Sequence, residues 1–146
     1  MKIFVSGIAG FLGSHLADAF IKDGHHVVGC DSLIGGELSN VPAEAEFYQY
    51  DCCYRNSMLK ITKGCDLVYH TAATAYEGLS VFSPHLITNN IVTGSVSLFS
   101  AAIENKVKRI VFCSSMARYG TNKVPFKEDY TPKPQDPYGI AKVAAE

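Results

Sequence analysis

Ile3-Phe4-Val5-Ser6-Gly7-Ile8-Ala9-Gly10-Phe11-Leu12-Gly13 stands almost at the start of the chain, and its reading decides the fold. Ile3 to Ser6 is a short apolar, partly β-branched run, which predicts a strand. Three glycines follow, and then Leu12, Leu16, Phe20 and Ile21 recur at helical spacing on one predicted face. Gly24, just past Lys22, supplies a natural helix end. Strand, glycine turn and helix make the first half of a βαβ unit, completed by a second apolar run from His26 to Cys30.

The same alternation continues outward. Further strand-like runs occupy Glu46 to Tyr50, Leu67 to His70 and Arg109 to Cys113. They are almost continuously apolar rather than alternating, as parallel strands covered on both faces are. A long helix is predicted from His85 to Asn105, opened by Pro84. Ile87, Ile91, Gly94, Leu98 and Ala102 line one side, and Lys106 and Lys108 complement its C-terminal end. Thr121 to Pro137 is rich in Pro and charge and reads as a surface connection. It leads to a last helix with Asp136 as N-cap and Pro137 at the first helical position. The expected fold class is α/β, an open, doubly wound parallel sheet whose ligands bind beyond the carboxyl ends of the strands. Ala141 to Glu146 offers no Gly, Asn or Pro to stop that helix, so the chain is expected to be the N-terminal part of something longer, cut inside a helix.

Composition narrows the classes of function. The 146 residues are 47% hydrophobic and 18% charged, as in one compact domain able to build an ordinary core. Thirteen Lys and Arg against fourteen Asp and Glu give a formal charge of −1. No electrostatic argument then favours nucleic acid or an anionic membrane as partner. Met1 to Leu12 is broken by glycine rather than forming a continuous apolar leader, and no other stretch is expected to approach the ~20 apolar residues of a membrane span. Cys30, Cys52, Cys53, Cys65 and Cys113 are an odd number without a C-x-x-C pair. They read as reduced structural thiols of a cytoplasmic protein, with no metal site.

Glycines between a strand and a helix allow a tight turn, let a diphosphate approach backbone N–H groups, and bring helix and strand close together. The helix N-terminus adds partial positive charge. The spacing is G-x-x-G-x-x-G across Gly7, Gly10 and Gly13. Asp31 closes the second strand, where a carboxylate accepts hydrogen bonds from ribose hydroxyls; its alternative role is to cap a loop. No Lys or Arg lies in Ser32 to Gly36 to neutralise a 2′-phosphate, which favours NAD over NADP. Asp51, at the end of the third strand, reads either as a contact to adenine or as an N-cap for the segment beginning at Tyr54. Tyr138 and Lys142 are i and i+4, so one helical face carries both. An ammonium beside a phenol favours the ionised phenol, the form that takes a proton from a hydroxyl. Ser114 and Ser115 follow the strand that ends at Cys113, at the carboxyl edge where a ligand is expected.

These motifs, together with His70-Thr71-Ala72-Ala73, Asn89-Asn90 and Ser114 to Gly120, resemble the extended short-chain dehydrogenase/reductases, in particular the nucleotide-sugar epimerase and dehydratase family. The resemblance implies a Rossmann domain over residues 1–146, with a C-terminal substrate domain absent from this sequence. It implies Ser115, Tyr138 and Lys142 as the catalytic set. For the cofactor it implies Gly7, Gly10, Phe11, Leu12, Asp31, Asp51, Cys52, Thr71, Ala72, Ala73, Asn90, Tyr138 and Lys142. His70 is given no chemistry. Dehydratases of this family carry an Asp-Glu pair after the catalytic Thr, where Met116 and Ala117 stand here. What remains is epimerisation at C4 of a nucleotide sugar, a UDP-hexose by resemblance, through transient oxidation to a 4-keto intermediate. The alternatives are a nucleotide-sugar reductase or dehydratase and, in another class, a non-catalytic NAD-binding regulatory module. Arg118 departs from the family pattern and is read as reaching a substrate phosphate or lying on the surface. The resemblance also implies a homodimer, paired through the long helix from Ile87 to Ala102 and the helix begun at Tyr138.

Overall fold

The computed structural model describes residues 1–146. Five strands, β1 (Lys2–Ser6), β2 (His26–Cys30), β3 (Glu46–Tyr48), β4 (Leu67–His70) and β5 (Arg109–Phe112), form one parallel sheet in the order β3-β2-β1-β4-β5. The doubly wound α/β class is therefore what the chain adopts. β3 stops before Tyr50 because β2 offers its last partner, Cys30, to Tyr48. The chain runs outward from β1 to β3 and then crosses back to β4, so the connections diverge between β1 and β4. That crevice is where open α/β sheets bind ligands.

Successive residues of β1 face opposite sides. Ile3 and Val5 pack with Ile8, Ala17 and Val27 under α1 (Phe11–Lys22), whereas Phe4 packs with Val28, Met58, Val68 and Leu98 on the other side. That second layer is built by α2 (Arg55–Ile61) and by a rod made of α4 (Pro84–Thr88), a π-helical turn (Asn89–Thr93) and α5 (Gly94–Glu104). A one-turn helix α3 (Glu77–Ser80) and a last helix α6 (Pro137–Ala145) complete the elements. Pro84 opens the rod, and the Asp136 carboxylate accepts the Gly139 N–H at 2.8 Å, the N-cap expected there.

Three expectations are corrected. Leu12 does not join the buried face of α1: it is 48% exposed, because the small Gly13 and Ala17 seat the helix instead. Lys108 does not serve the end of α5. Its ammonium pairs with Asp66 at 2.6 Å, and Asn105 secures that helix end by donating to the Leu59 carbonyl and the Thr62 hydroxyl. The rod from Pro84 to Glu104, 21 residues with a mean hydropathy of 1.4, is long and apolar enough to cross a membrane, which counting uninterrupted apolar residues overlooks. Here Ile87, Ile91, Leu98, Ala101 and Ala102 bury its apolar face in the protein.

Candidate active site

The glycine turn is shaped by backbone contacts that exclude side chains. Gly7 has φ +72°, and a Cβ there would stand 2.8 Å from the backbone of Ala72 on the neighbouring β4 loop. A Cβ on Gly13 would lie 2.1 Å from the Gly7 carbonyl oxygen. α1 begins at Phe11 without a side-chain cap, so its first N–H groups remain available beside Gly10. Gly13→Ala forces the turn and helix apart. It is expected to cost about 1–3 kcal/mol by urea unfolding and to weaken NAD binding at least about tenfold in a titration.

Above the turn lies a cavity of about 300 Å³ lined by Gly7, Gly10, Phe11, Leu12, Asp31, Cys52, Thr71, Ala72, Ala73 and Asn90, all singled out in the sequence. Sequence reasoning missed Ser32, Ile34, Gly35 and Gly36 after β2, together with Tyr50, Thr74, Ala75 and Tyr76. Their one signal is position, in or near the loops at the carboxyl ends of β2, β3 and β4. Asp31 both borders the cavity and ties its loop: its carboxylate accepts the Ala9 N–H at 3.1 Å and the Leu33 N–H at 2.8 Å. Asp51 does not line the cavity. Its carboxylate accepts the Cys53 N–H at 2.8 Å in the turn before α2, whose N-cap is Tyr54. Cys52 does line it, with its Sγ 3.9 Å from that of Cys30.

Asn90 sits in the π-helical turn, a wider coil that turns side chains out of α-helical register. Its amide donates to the Thr74 hydroxyl at 2.9 Å, joining the rod to the cavity wall.

Tyr138, Lys142 and Ser115 lie outside the cavity lining but beside it. Tyr138, 7% exposed, is packed with Ile87, Ile91 and Ala141, and both Ala73 of the cavity wall and Ala117 border that cluster. Gly139 is what seats α6 there, since a Cβ at that position would lie 3.0 Å from the Ala117 carbonyl. The turn so approached is a 3₁₀ segment, Met116–Tyr119, capped by Ser115, whose hydroxyl accepts the Ala117 N–H at 3.2 Å. The competing Ser114 gives its hydroxyl to the Glu146 carboxylate instead.

The Lys142 ammonium is buried. It donates to the Cys113 carbonyl at 2.8 Å and stands 5.0 Å from the Phe112 ring centre and 5.9 Å from that of Tyr138. Burial makes its proton easier to lose than that of a free lysine. The Arg118 guanidinium is paired with Glu146 at 2.8 Å and lies 4.9 Å over the Tyr119 ring.

The donors present suit a dinucleotide: N–H groups at a helix start for a diphosphate, a carboxylate at the end of β2 for a ribose, and a glycine cradle that a single Cβ would fill. Comparison with known proteins agrees with that geometry. The UDP-glucose 4-epimerase of Lactobacillus helveticus is 38% identical over 149 residues, a match covering 100% of this chain and 45% of that protein. The structure of a UDP-glucose 4-epimerase from Thermotoga maritima with UDP-glucose superposes with a TM-score of 0.95 at 36% identity, covering 99% of this chain and 48% of that one. A UDP-glucose 4-epimerase from Brucella ovis in complex with NAD gives a TM-score of 0.93 at 33% identity over 99% of this chain and 45% of that one. The chain thus spans about half the length of these relatives. Because residues 3–146 also match the model of the NAD dependent epimerase/dehydratase family, the chain belongs to that family.

Proposed function

We propose that residues 1–146 form the NAD-binding half of an enzyme that epimerises a nucleotide sugar, a UDP-hexose, at C4. The observation that carries this reading is the convergence of Tyr138, Lys142 and the Ser115 turn on the cluster that shares Ala73 with the cavity wall. Gly7, Gly10 and the first turn of α1 would hold the coenzyme diphosphate, Asp31 the adenosine ribose, and Cys52 and Tyr50 the adenine end. NAD held there would supply a hydride acceptor, and on return a hydride donor, at the sugar C4.

The chain's own residues handle the proton. Tyr138 as phenolate takes it from the 4-hydroxyl and gives it back on the return step. Ser115 both donates to and accepts from the reacting oxygen, and Lys142, fixed on the Cys113 carbonyl, keeps positive charge beside the phenol. Tyr138 lies almost wholly out of water, with the Lys142 ammonium 5.9 Å from its ring centre. Met116 and Ala117, next to Ser115, move no proton, which disfavours dehydration.

Epimerisation leaves NAD unchanged over a cycle, so the coenzyme is expected to stay bound. Denaturing the purified protein should release NAD at close to one equivalent, and UDP-glucose should convert to UDP-galactose without added reductant. Protein free of NAD that consumes NADH with a keto-sugar identifies a reductase instead, and protein that binds NAD without turnover a regulatory module. We place the protein in the cytoplasm, a reading its five free cysteines support. We further propose a homodimer. Val96 and Ile103, seven residues apart on α5, and Ile140 on α6 remain exposed on the helices expected to pair.

A further inference from the structure

The cavity is bounded by two loops that differ in how firmly they are held. The loop after β2 is fastened to the glycine turn through Ala9. The Ala9 N–H goes to Asp31, and its carbonyl accepts both the Glu37 N–H and the Asn40 amide, each at 3.0 Å. Leu33 in that loop, at φ +62°, is held by the second Asp31 oxygen. The loop after β4 is tied to Ser6 at Thr71 and Ala72 and to Asn90 at Thr74, and past Thr74 it has no such anchor. It ends in a tight turn in which the Tyr76 N–H bonds the Thr74 carbonyl at 3.0 Å, and α3 follows as a single turn.

Tyr76 projects from this looser wall to the fixed one. Its hydroxyl oxygen stands 3.5 Å from the point that a Cβ of Gly35 would occupy, and both residues line the cavity. Gly35 leaves the space the hydroxyl approaches. Tyr76 is nonetheless 52% exposed, so its ring is not held there by a core. A tyrosine suits a movable cover, with a large apolar face, a hydrogen-bonding tip and only two rotatable side-chain bonds to order.

We propose that Tyr76 is a latch: its side chain spans from the β4 loop to Gly35 and slows departure of the coenzyme from the cavity. The inference rests on the reading of that cavity as the NAD slot, and it adds a retaining residue that no sequence motif marks. The ring does the covering, so Phe should serve nearly as well as Tyr. Because the residue is half exposed, its removal should leave the urea midpoint unchanged.

The test is the rate at which NAD leaves the full chain. The protein is loaded with NAD and passed into NAD-free buffer, and free coenzyme is followed with time. Tyr76→Ala should release NAD at least about tenfold faster than the parent, a change equivalent to about 1.4 kcal/mol, with Tyr76→Phe within about threefold of the parent. Release from Tyr76→Ala within about twofold of the parent overturns the latch while leaving the coenzyme reading intact. A parent protein that binds no NAD overturns both.

Discussion

Tyr138→Phe is expected, in the epimerase proposed above, to lower turnover of UDP-glucose to UDP-galactose by a factor on the order of 10³, within the ~10²–10⁴ that a positioned proton-transfer group contributes. The coenzyme content on denaturation should not change. The ring sits among Ile87, Ile91 and Ala141 with 7% of its surface exposed, and Phe keeps all of that packing. Only the oxygen disappears, so the folded structure should survive with an unfolding free energy within about 1 kcal/mol of the parent. This separates chemistry from architecture. A variant that retains NAD and its urea midpoint yet turns over within tenfold of the parent would remove Tyr138 from the proton path and the epimerase reading with it.

The contrast with Gly139 shows why that prediction is sharp. Tyr138 reaches its place because the next residue has no side chain and α6 can press against the Ala117 carbonyl. A larger residue at 139 would press on the Ala117 backbone and on Pro134 and would say nothing about the phenol.

How much of this was legible beforehand divides along a physical line. The strands and α1 were readable because a strand, three glycines and a helical apolar pattern are local, and because near-continuous apolar runs betray a sheet covered on both faces. The proposed proton-transfer residues could be named as residue types, and Asp136 was correctly predicted as the cap that starts α6. What the pattern could not hold is whatever depends on how distant segments meet. Leu12 fits the helical stripe but faces the cavity mouth, since the approach of α1 to the sheet is fixed by Gly13 against Gly7. Lys108 follows a helix but is claimed by Asp66, forty-two positions earlier in the chain. The π-helical turn at Asn89–Thr93 leaves no mark in the spacing of Ile87, Ile91, Gly94 and Leu98, yet Asn90 in that turn borders the cavity and bonds Thr74. Gly35 and Tyr76 carry no motif because their meaning lies in the space between two loops.

His70, given no chemistry in the sequence, should govern the acid stability of the fold. It is 1% exposed, with Nδ1 2.6 Å from the Ser6 hydroxyl and Nε2 2.9 Å from that of Ser95, and Phe99 and Phe112 lie against its ring. The Ser6 oxygen already accepts the Ala72 N–H at 3.3 Å, so its own proton is free to go to Nδ1, and Nε2–H then donates to Ser95. That arrangement satisfies a neutral ring. Burial first, and the charge of Lys142 second, push its pKa from 6.5 down to about 3. The unfolded chain therefore binds a proton that the folded one refuses. Stability is full above about pH 6.5 and falls as pH drops toward 3, by about 1.4 kcal/mol per unit and roughly 5 kcal/mol across the window. Urea unfolding between pH 6 and 5, where carboxylates are still largely ionised, should show that slope, and His70→Asn should flatten it although the variant is weaker at pH 7. An unchanged slope in the variant would place the acid sensitivity elsewhere. The same hydroxyl that orients His70 also holds the Ala72 N–H in the cavity wall, so NAD should be lost from the parent in that same pH range.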